Sequence, residues 1–264
     1  MELKPRSSPV NGPLWGARAR DWADIQEGTV KPVYEAALAR TAVVLGTRYL
    51  DIGCGAGMAA QLAAARGALV SGIDAADNMI AIARERAPEG DFHTGDLEAL
   101  PFDDRTFDVV TGFNSFQYAA NPAIALGEAR RVTKAGGVIV VMTWGMPEGM
   151  EAAALVGATR PLLPVPPPGA PGPFALSDEA TLRAFATEGG LTPLEVFDVD
   201  SPWSFSDEAA ALRGLNASGV ATRAREHSGD AAVTEAYRQA LAPFRRADGS
   251  YHIGAQYRCL LARP

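Results

Sequence analysis

The apolar positions of this 264-residue chain keep two rhythms that alternate. Short apolar runs at Tyr49–Ile52, Ala68–Asp74, Phe107–Thr111 and Val138–Trp144 read as buried strands. Between them MAAQLAAARG, AADNMIAIARERA and PAIALGEARRV have the composition and spacing of helices. Strand, helix, strand in succession predicts an α/β fold on a mostly parallel sheet. Later in the chain LTPLEVFDVDSPWSF predicts a further strand, and the stretch after the Asp248-Gly249 turn predicts a last one. EGMEAAALVGATR predicts a helix, as do two segments opening Ser-Asp-Glu, with Ser177 and Ser206 as expected N-caps. Residues 203–247 are helical by pattern.

Residues 1–13 carry three prolines and two serines and are expected to be a loosely attached tail. Helical pieces broken near Gly28 and Pro32 follow, with Trp15, Trp22, Ile25 and Tyr34 as bulky anchors. Seven prolines in the fourteen residues from Pro161 to Phe174 forbid a helix or central strand and predict a stiff crossover or lid. The expected organisation is 1–40 as tail and helical lid, 41–145 as a nucleotide-type binding core, and 146–264 as the remainder of the same domain.

The chemistry concentrates in RYLDIGCGAG. A strand is stopped by Gly53, Gly55 and Gly57, and a helix begins at Met58. Such a turn lets a ligand approach the main chain closely. The dinucleotide fingerprint is G-x-G-x-x-G/A, and its third small position would here be Met58, which is too large for close helix–strand packing. Asp51, just before the turn, repels a pyrophosphate and suits a ligand carrying an ammonium group. Asp74 lies about twenty positions beyond the first glycine, where a carboxylate is expected to hydrogen-bond a ribose. Asp77 and Asn78 are expected to be helix caps. Asn114, Ser115, Phe116, Gln117 and Tyr118 follow a strand's carboxyl end, where an open parallel sheet binds its ligands.

LDIGCGAG, together with Gly95-Asp96-Leu97, the following Leu-Pro-Phe and Lys134-Ala135-Gly136-Gly137, resembles the class I S-adenosylmethionine-dependent methyltransferases, and in particular the ubiquinone/menaquinone-biosynthesis-like branch. The resemblance covers about Leu50–Gly137. It implies a Rossmann-like sheet of seven strands, mostly parallel, whose antiparallel last strand enters between the fifth and sixth. Helices lie on both faces, with a helical cap. The cofactor implied is S-adenosyl-L-methionine, on Asp51, Gly53, Gly55, Gly57, Asp74 and Asn114, with Met79 against adenine and Asp96 and the Leu97 amide on its edge. N-terminal helices act as a lid in relatives. Trp22, Phe116, Gln117 and Tyr118 become candidate substrate contacts. His227 is the first candidate for a general base, because histidine titrates near neutrality; His252, Tyr251, Tyr118 and Glu226 follow it.

Composition narrows the acceptor. The net charge of −7 attracts neither nucleic acid nor an anionic membrane, and FNSFQY lacks the Asn/Asp-Pro-Pro-aromatic tetrad common in enzymes that methylate bases. A small molecule is the expected partner, secondary metabolites included, methylated on oxygen, nitrogen or carbon. No run approaches a signal peptide or membrane span, and two distant cysteines suit a reducing cytoplasm. His93, His227 and His252 lie too far apart in the chain to suggest a local zinc site. The alternative is a non-methylating enzyme, such as a cyclase, with the cofactor in a structural role.

Overall fold

The computed structural model describes residues 6–167 and 170–264. Residues 1–5 of the expected tail and 168–169 of the proline-rich stretch lie outside. The chain runs through α1 (Ser8–Gly16), a short turn α2 (Ala19–Asp21), a π-turn at Trp22–Gln26, a 3-10 turn at Glu27–Val30 and α3 (Lys31–Arg40). The core follows as β1 (Arg48–Ile52), α4 (Met58–Ala64), β2 (Leu69–Asp74), α5 (Asp77–Arg86), β3 (Asp91–Thr94), β4 (Phe107–Phe113), α6 (Pro122–Val132) and β5 (Thr133–Trp144). The second half contains α7 (Ala152–Ala158), α8 (Glu179–Glu188), β6 (Thr192–Asp200) and β7 (Trp203–Phe205), then α9 (Glu208–Leu215), α10 (Gly219–Ser228), α11 (Asp230–Leu241), β8 (Tyr251–Ile253) and β9 (Gln256–Arg263).

Seven strands form one sheet in the order β3-β2-β1-β4-β5-β9-β6. Strands β1 to β5 pair in parallel, and β9 lies antiparallel between β5 and β6. The strand order reverses between β1 and β4, which opens a crevice at their carboxyl ends. Side chains alternate across the sheet as strand geometry requires. Tyr49 and Val109 meet Leu38 of α3, Ala60 of α4 and Ala83 of α5 on one face. Leu50, Ile52 and Val110 meet Leu126 of α6 and Leu182 of α8 on the other. A cap of α7 and α9–α11 packs with the β7–β8 ribbon over the larger core cluster. No described helix is long and apolar enough to cross a membrane.

Several local expectations are corrected. The tail is helical and docked from Ser8, because Pro9 falls in the first turn, where its missing amide costs nothing, and Gly12 permits close packing against Ala75. The strand predicted from LTPLEVFDVDSPWSF divides into β6 and β7. Pro202 cannot donate to the ladder, and the Ser201 hydroxyl bonds the Thr29 carbonyl at 2.6 Å. The last strand divides likewise, β8 pairing with β7 while β9 enters the main sheet. The expected turn at Thr133–Gly137 lies inside β5 as an irregularity. From Phe107↔Thr133 to Val109↔Val138, β4 advances two residues while β5 advances five. The caps of α8 and α9 are Asp178 and Asp207, each accepting an amide hydrogen bond, rather than Ser177 and Ser206. Asp77 and Asn78 do not cap α5; Ala76 holds the N-cap position, and the Asn78 amide instead reaches Gly16 O of α1 at 3.0 Å.

The glycine turn depends on one tight contact. Gly57 is left-handed at φ 83°, and a Cβ there would lie 2.7 Å from the Cβ of Ala83. Gly57→Ala is expected to cost about 2–4 kcal/mol through combined strain and overlap. Denaturant unfolding checks this, and an unchanged midpoint would show that α4 and α5 can part without cost.

Candidate cofactor and acceptor site

At the crevice the main chain uses its own hydrogen bonds. The Gly53 and Cys54 amides both donate to the Ile73 carbonyl, at 2.8 and 3.0 Å, and the Gly55 amide donates to Asp74 Oδ2 at 2.9 Å. All three glycines of the turn have positive φ, at 74°, 53° and 83°. The start of α4 is not open either. Glu27 Oε1 accepts the Met58 amide at 3.3 Å, and the other Glu27 oxygen pairs with Arg86. A carboxylate therefore fills the position where a phosphate would sit at a helix N-terminus. Arg86 also donates to the carbonyls of Ala23 and Ala56, joining the N-terminal segment, α5 and the glycine turn.

Three carboxylates converge here: Glu27, Asp51 and Asp74. Asp51 is 2% exposed and accepts from the Thr111 hydroxyl at 2.8 Å, which in turn is bonded to the Tyr49 hydroxyl. Burial pushes its pKa up to about 7; the Thr111 hydroxyl opposes the rise, and the charges of Glu27 and Asp74 add to it. Burial also raises Glu27 against the opposing charge of Arg86, and raises Asp74 against amide bonds from Ala76 and Gly55. Only Glu27 has a cationic partner. The unmet requirement at this turn is positive charge, which excludes a pyrophosphate and fits a cationic ligand.

Next to the turn, β2 ends in Asp74, held by the Gly55 and Ala76 amides. Met79 is buried with Ala56, Ala76, Trp15 and Trp22. The indole Nε1 of Trp22 lies 3.5 Å from where a Cβ on Gly55 would stand, which puts Trp22 over the cofactor turn rather than at a separate acceptor wall. Asp96 receives the amide and hydroxyl of Ser8 on Oδ2, at 3.1 and 2.7 Å, and the Glu98 amide on Oδ1 at 3.2 Å. Burial raises Asp96, but hydrogen bonds with Glu98 and Ser8 outweigh it and hold the pKa at about 2. Ser7 bonds Glu98 at 2.9 Å and lies 3.5 Å from Asp96 Oδ1. Leu97 turns its side chain into the core, while its amide has no partner among the described residues.

On the other side of the crevice Asn114 is left-handed at φ 52°, its amide bonds the Met142 carbonyl, and its Oδ1 accepts from Gln117. Ser115 is buried beside Gly53 and Gly112, and its hydroxyl has no partner. Two substrate candidates move. Phe116 is buried at 1% in the core under α6, because Gly112 leaves room for its ring, so it does not face a ligand. Tyr118 stacks edge-on with Trp15 of the lid at 5.6 Å. His227 is exposed at the end of α10, bonded to Ser228, which is itself tied to Leu162. The structure does not bring it to the crevice. Glu226 and His252 are exposed as well, and His252 bonds Ser204.

The residues fit S-adenosylmethionine. Gly55 leaves its crevice side free of a β-carbon, Asp51 and Asp74 lack a cationic side-chain partner, and Asp74 and Asp96 are the carboxylates that would meet ribose and adenine. Sequence reasoning missed Glu27, Arg86, Thr111 and Ser8. Their types look like ordinary helix-surface, strand or tail residues, and only their contacts with distant segments distinguish them.

The fold is the Rossmann-like fold of methyltransferases. Residues 50–141 match the methyltransferase domain family. The malonyl-acyl-carrier-protein O-methyltransferase of Erwinia pyrifoliae is 31% identical over 176 residues, which are 66% of this chain and 62% of that protein. The ubiquinone biosynthesis O-methyltransferase of Dinoroseobacter shibae is 32% identical over 184 residues, 66% of this chain and 73% of that protein. The crystal structure of the cyclase SpnF shares the fold, with a TM-score of 0.56, 21% identity and coverage of 88% of this chain and 80% of that one. The chain belongs to the class I S-adenosylmethionine-dependent methyltransferases, in the ubiquinone/menaquinone-biosynthesis-like branch.

Two outcomes follow from the carboxylates. Asp51 keeps a proton in the folded, ligand-free protein that the unfolded chain loses above about pH 4. Ligand-free stability therefore falls as pH rises through the Asp51 value of about 7. Binding of the cationic cofactor favours the charged form, so affinity strengthens over the same range with release of a proton. Calorimetry at pH 6 and 8 in buffers of different ionisation enthalpy measures both effects, and Asp51→Asn is expected to flatten the pH dependence while weakening binding. Separately, Arg86→Met leaves Glu27 buried without its partner and is expected to destabilise the protein by about 3–5 kcal/mol. The double variant with Glu27→Gln should recover part of that loss in thermal unfolding.

Proposed function

We propose that this enzyme methylates an acidic hydroxyl — a phenol, enol or carboxylic acid — on a small, largely apolar metabolite in the cytoplasm. The observation that carries the choice of acceptor is the pairing of an aromatic wall with the absence of a placed base. Trp144, at the carboxyl end of β5, stacks on Tyr257 at 4.9 Å and lies 6.0 Å from Trp203 and 6.3 Å from Phe174. These rings adjoin Phe113 of β4 across the sheet, and the cap lies over them. Tyr257 and Trp203 are buried in the core, so Trp144 and Phe174, both half-buried, are the rings that would meet a flat apolar partner.

The cofactor, when bound, supplies a methyl group made electrophilic by its sulfonium sulfur. The protein's task is then alignment and exclusion of water. Gly55 keeps a β-carbon away from the methionine portion, Gly53 makes room for Ser115, and Asp51 with Glu27 orients the ligand's positive charge. The N-terminal helix, anchored through Ser8–Asp96, Asn11–Tyr118 and Asn78–Gly16, covers the nucleoside side. All three histidines lie away from the crevice: His93 pairs with Asp91, His252 bonds Ser204 and His227 is on the cap surface. An acceptor oxygen that ionises by itself needs none of them. As the oxygen–carbon bond forms, the sulfur–carbon bond breaks and its electron pair stays on sulfur, so an oxyanion and a sulfonium become an ether or ester and a thioether.

Support for oxygen comes from the named activities of the relatives, and support for a small molecule from the net charge of −7. Both cysteines are free and buried, in keeping with a reducing compartment. A panel of phenols, enols and carboxylic acids of graded acidity, assayed by S-adenosylhomocysteine release, tests the reading. The rate is expected to rise with pH along each acceptor's own ionisation, and His227→Ala should change it less than twofold. A product formed without S-adenosylhomocysteine would replace the methyl-transfer reading with that of a cyclase-like enzyme.

A further inference from the structure

Tyr34 has a hydroxyl that the fold leaves without a use. It lies in the first turn of α3 and is 7% exposed, with its ring edge-on to Phe113 at 4.7 Å and 65°. Phe113 ends β4, immediately before the left-handed Asn114. The Tyr34 side chain is therefore at the mouth of the crevice, on the sheet face shared with Asp51. No hydrogen bond of its hydroxyl is found among the described residues.

The neighbouring buried tyrosines differ. The Tyr49 hydroxyl bonds Thr111 at 2.7 Å, and Tyr257 accepts the Trp203 indole N–H at 3.1 Å. Packing alone would be served as well by phenylalanine, and the Tyr34 hydroxyl, unlike those of Ser115 and Thr159, is not sealed from solvent, so it stays open to a ligand. Burial, then the nearby charges of Glu27 and Asp51, raise the Tyr34 pKa well above that of an ordinary phenol. The group is a neutral hydroxyl with oxygen lone pairs, within electrostatic reach of both carboxylates. A cluster of oxygens of that kind complements a cation with several polarised hydrogens.

We propose that the Tyr34 hydroxyl is a positioning ligand for the cationic methionine end of S-adenosylmethionine, completing with Asp51 and Glu27 a set of oxygens on three separate elements. The assignment rests on the cofactor belonging to the glycine turn and is independent of the acceptor. Two cationic groups share this chemistry, the α-ammonium and the sulfonium with its methyl, and they can be separated by the ligand used.

The test is calorimetric titration of the full chain with S-adenosylmethionine, S-adenosylhomocysteine and 5′-methylthioadenosine, for the wild type and Tyr34→Phe. Tyr34→Phe keeps the ring against Phe113 and is expected to weaken S-adenosylmethionine by about five- to tenfold. Binding of methylthioadenosine, which has neither charge, should stay within twofold. An equal loss for S-adenosylhomocysteine assigns the contact to the ammonium; a loss confined to S-adenosylmethionine assigns it to the sulfonium methyl. Unchanged binding of all three ligands, or an equal weakening of all three, overturns the proposal, since the first means no contact and the second a general loss of shape.

Discussion

The site depends on a carboxylate supplied from outside the nucleotide-binding core. Glu27 belongs to the N-terminal segment, yet it is 2% exposed, accepts the first amide of α4 and pairs with Arg86. Its charge occupies the positive end of the helix that would otherwise attract a phosphate. Desolvating such a pair is costly, and its attraction offsets that cost only when the remaining hydrogen bonds are satisfied. Arg86 meets that condition with two carbonyls, one from Ala23 and one from Ala56. The lid, the glycine turn and α5 are consequently a single electrostatic unit.

That arrangement selects the ligand by charge. The amides of Gly53, Cys54 and Gly55 are already hydrogen-bonded within the protein, so the turn offers space rather than donors. Around the space stand Asp51 and Asp74, raised in pKa by burial and without a cationic side-chain partner. A dinucleotide would bring negative charge into this environment. S-adenosylmethionine brings positive charge, and its binding relieves the cost of keeping Asp51 ionised. Affinity and folding stability thus respond to pH in opposite directions, because both are governed by the same carboxylate.

On the function proposed above, the acceptor side follows a different logic. Its walls are aromatic rings from β5, β9 and the β7–β8 ribbon, elements that come together only because β9 returns between β5 and β6. Charged groups near these rings, Arg258 with Asp198 and Arg40 with Glu195, are paired with each other. Selectivity there rests on shape and apolar contact, while the cofactor side rests on charge. Such a division suits an enzyme whose donor is constant and whose acceptor can change by altering the cap.

Much of the cofactor half was legible in the chain itself. Asp51, the glycines, Asp74, Met79 and Asp96 lie within a few residues of strand ends, where local spacing determines position, and the alternation of strand and helix specified the α/β sheet. Contacts between distant segments were not legible. Phe116 reads as a site residue because it follows β4, but Gly112 lets its ring turn into the core. His227 has suitable chemistry and an exposed place on α10. Ser7 and Ser8 read as tail residues, though they reach Asp96 across nearly ninety positions. Sequence by itself determined the donor, since a turn and its flanking carboxylates are local features. Tertiary structure alone decided which side chains lose water and which find partners, and hence placed Glu27, Arg86 and Tyr34 at the site, because burial is a property of packing and not of spacing.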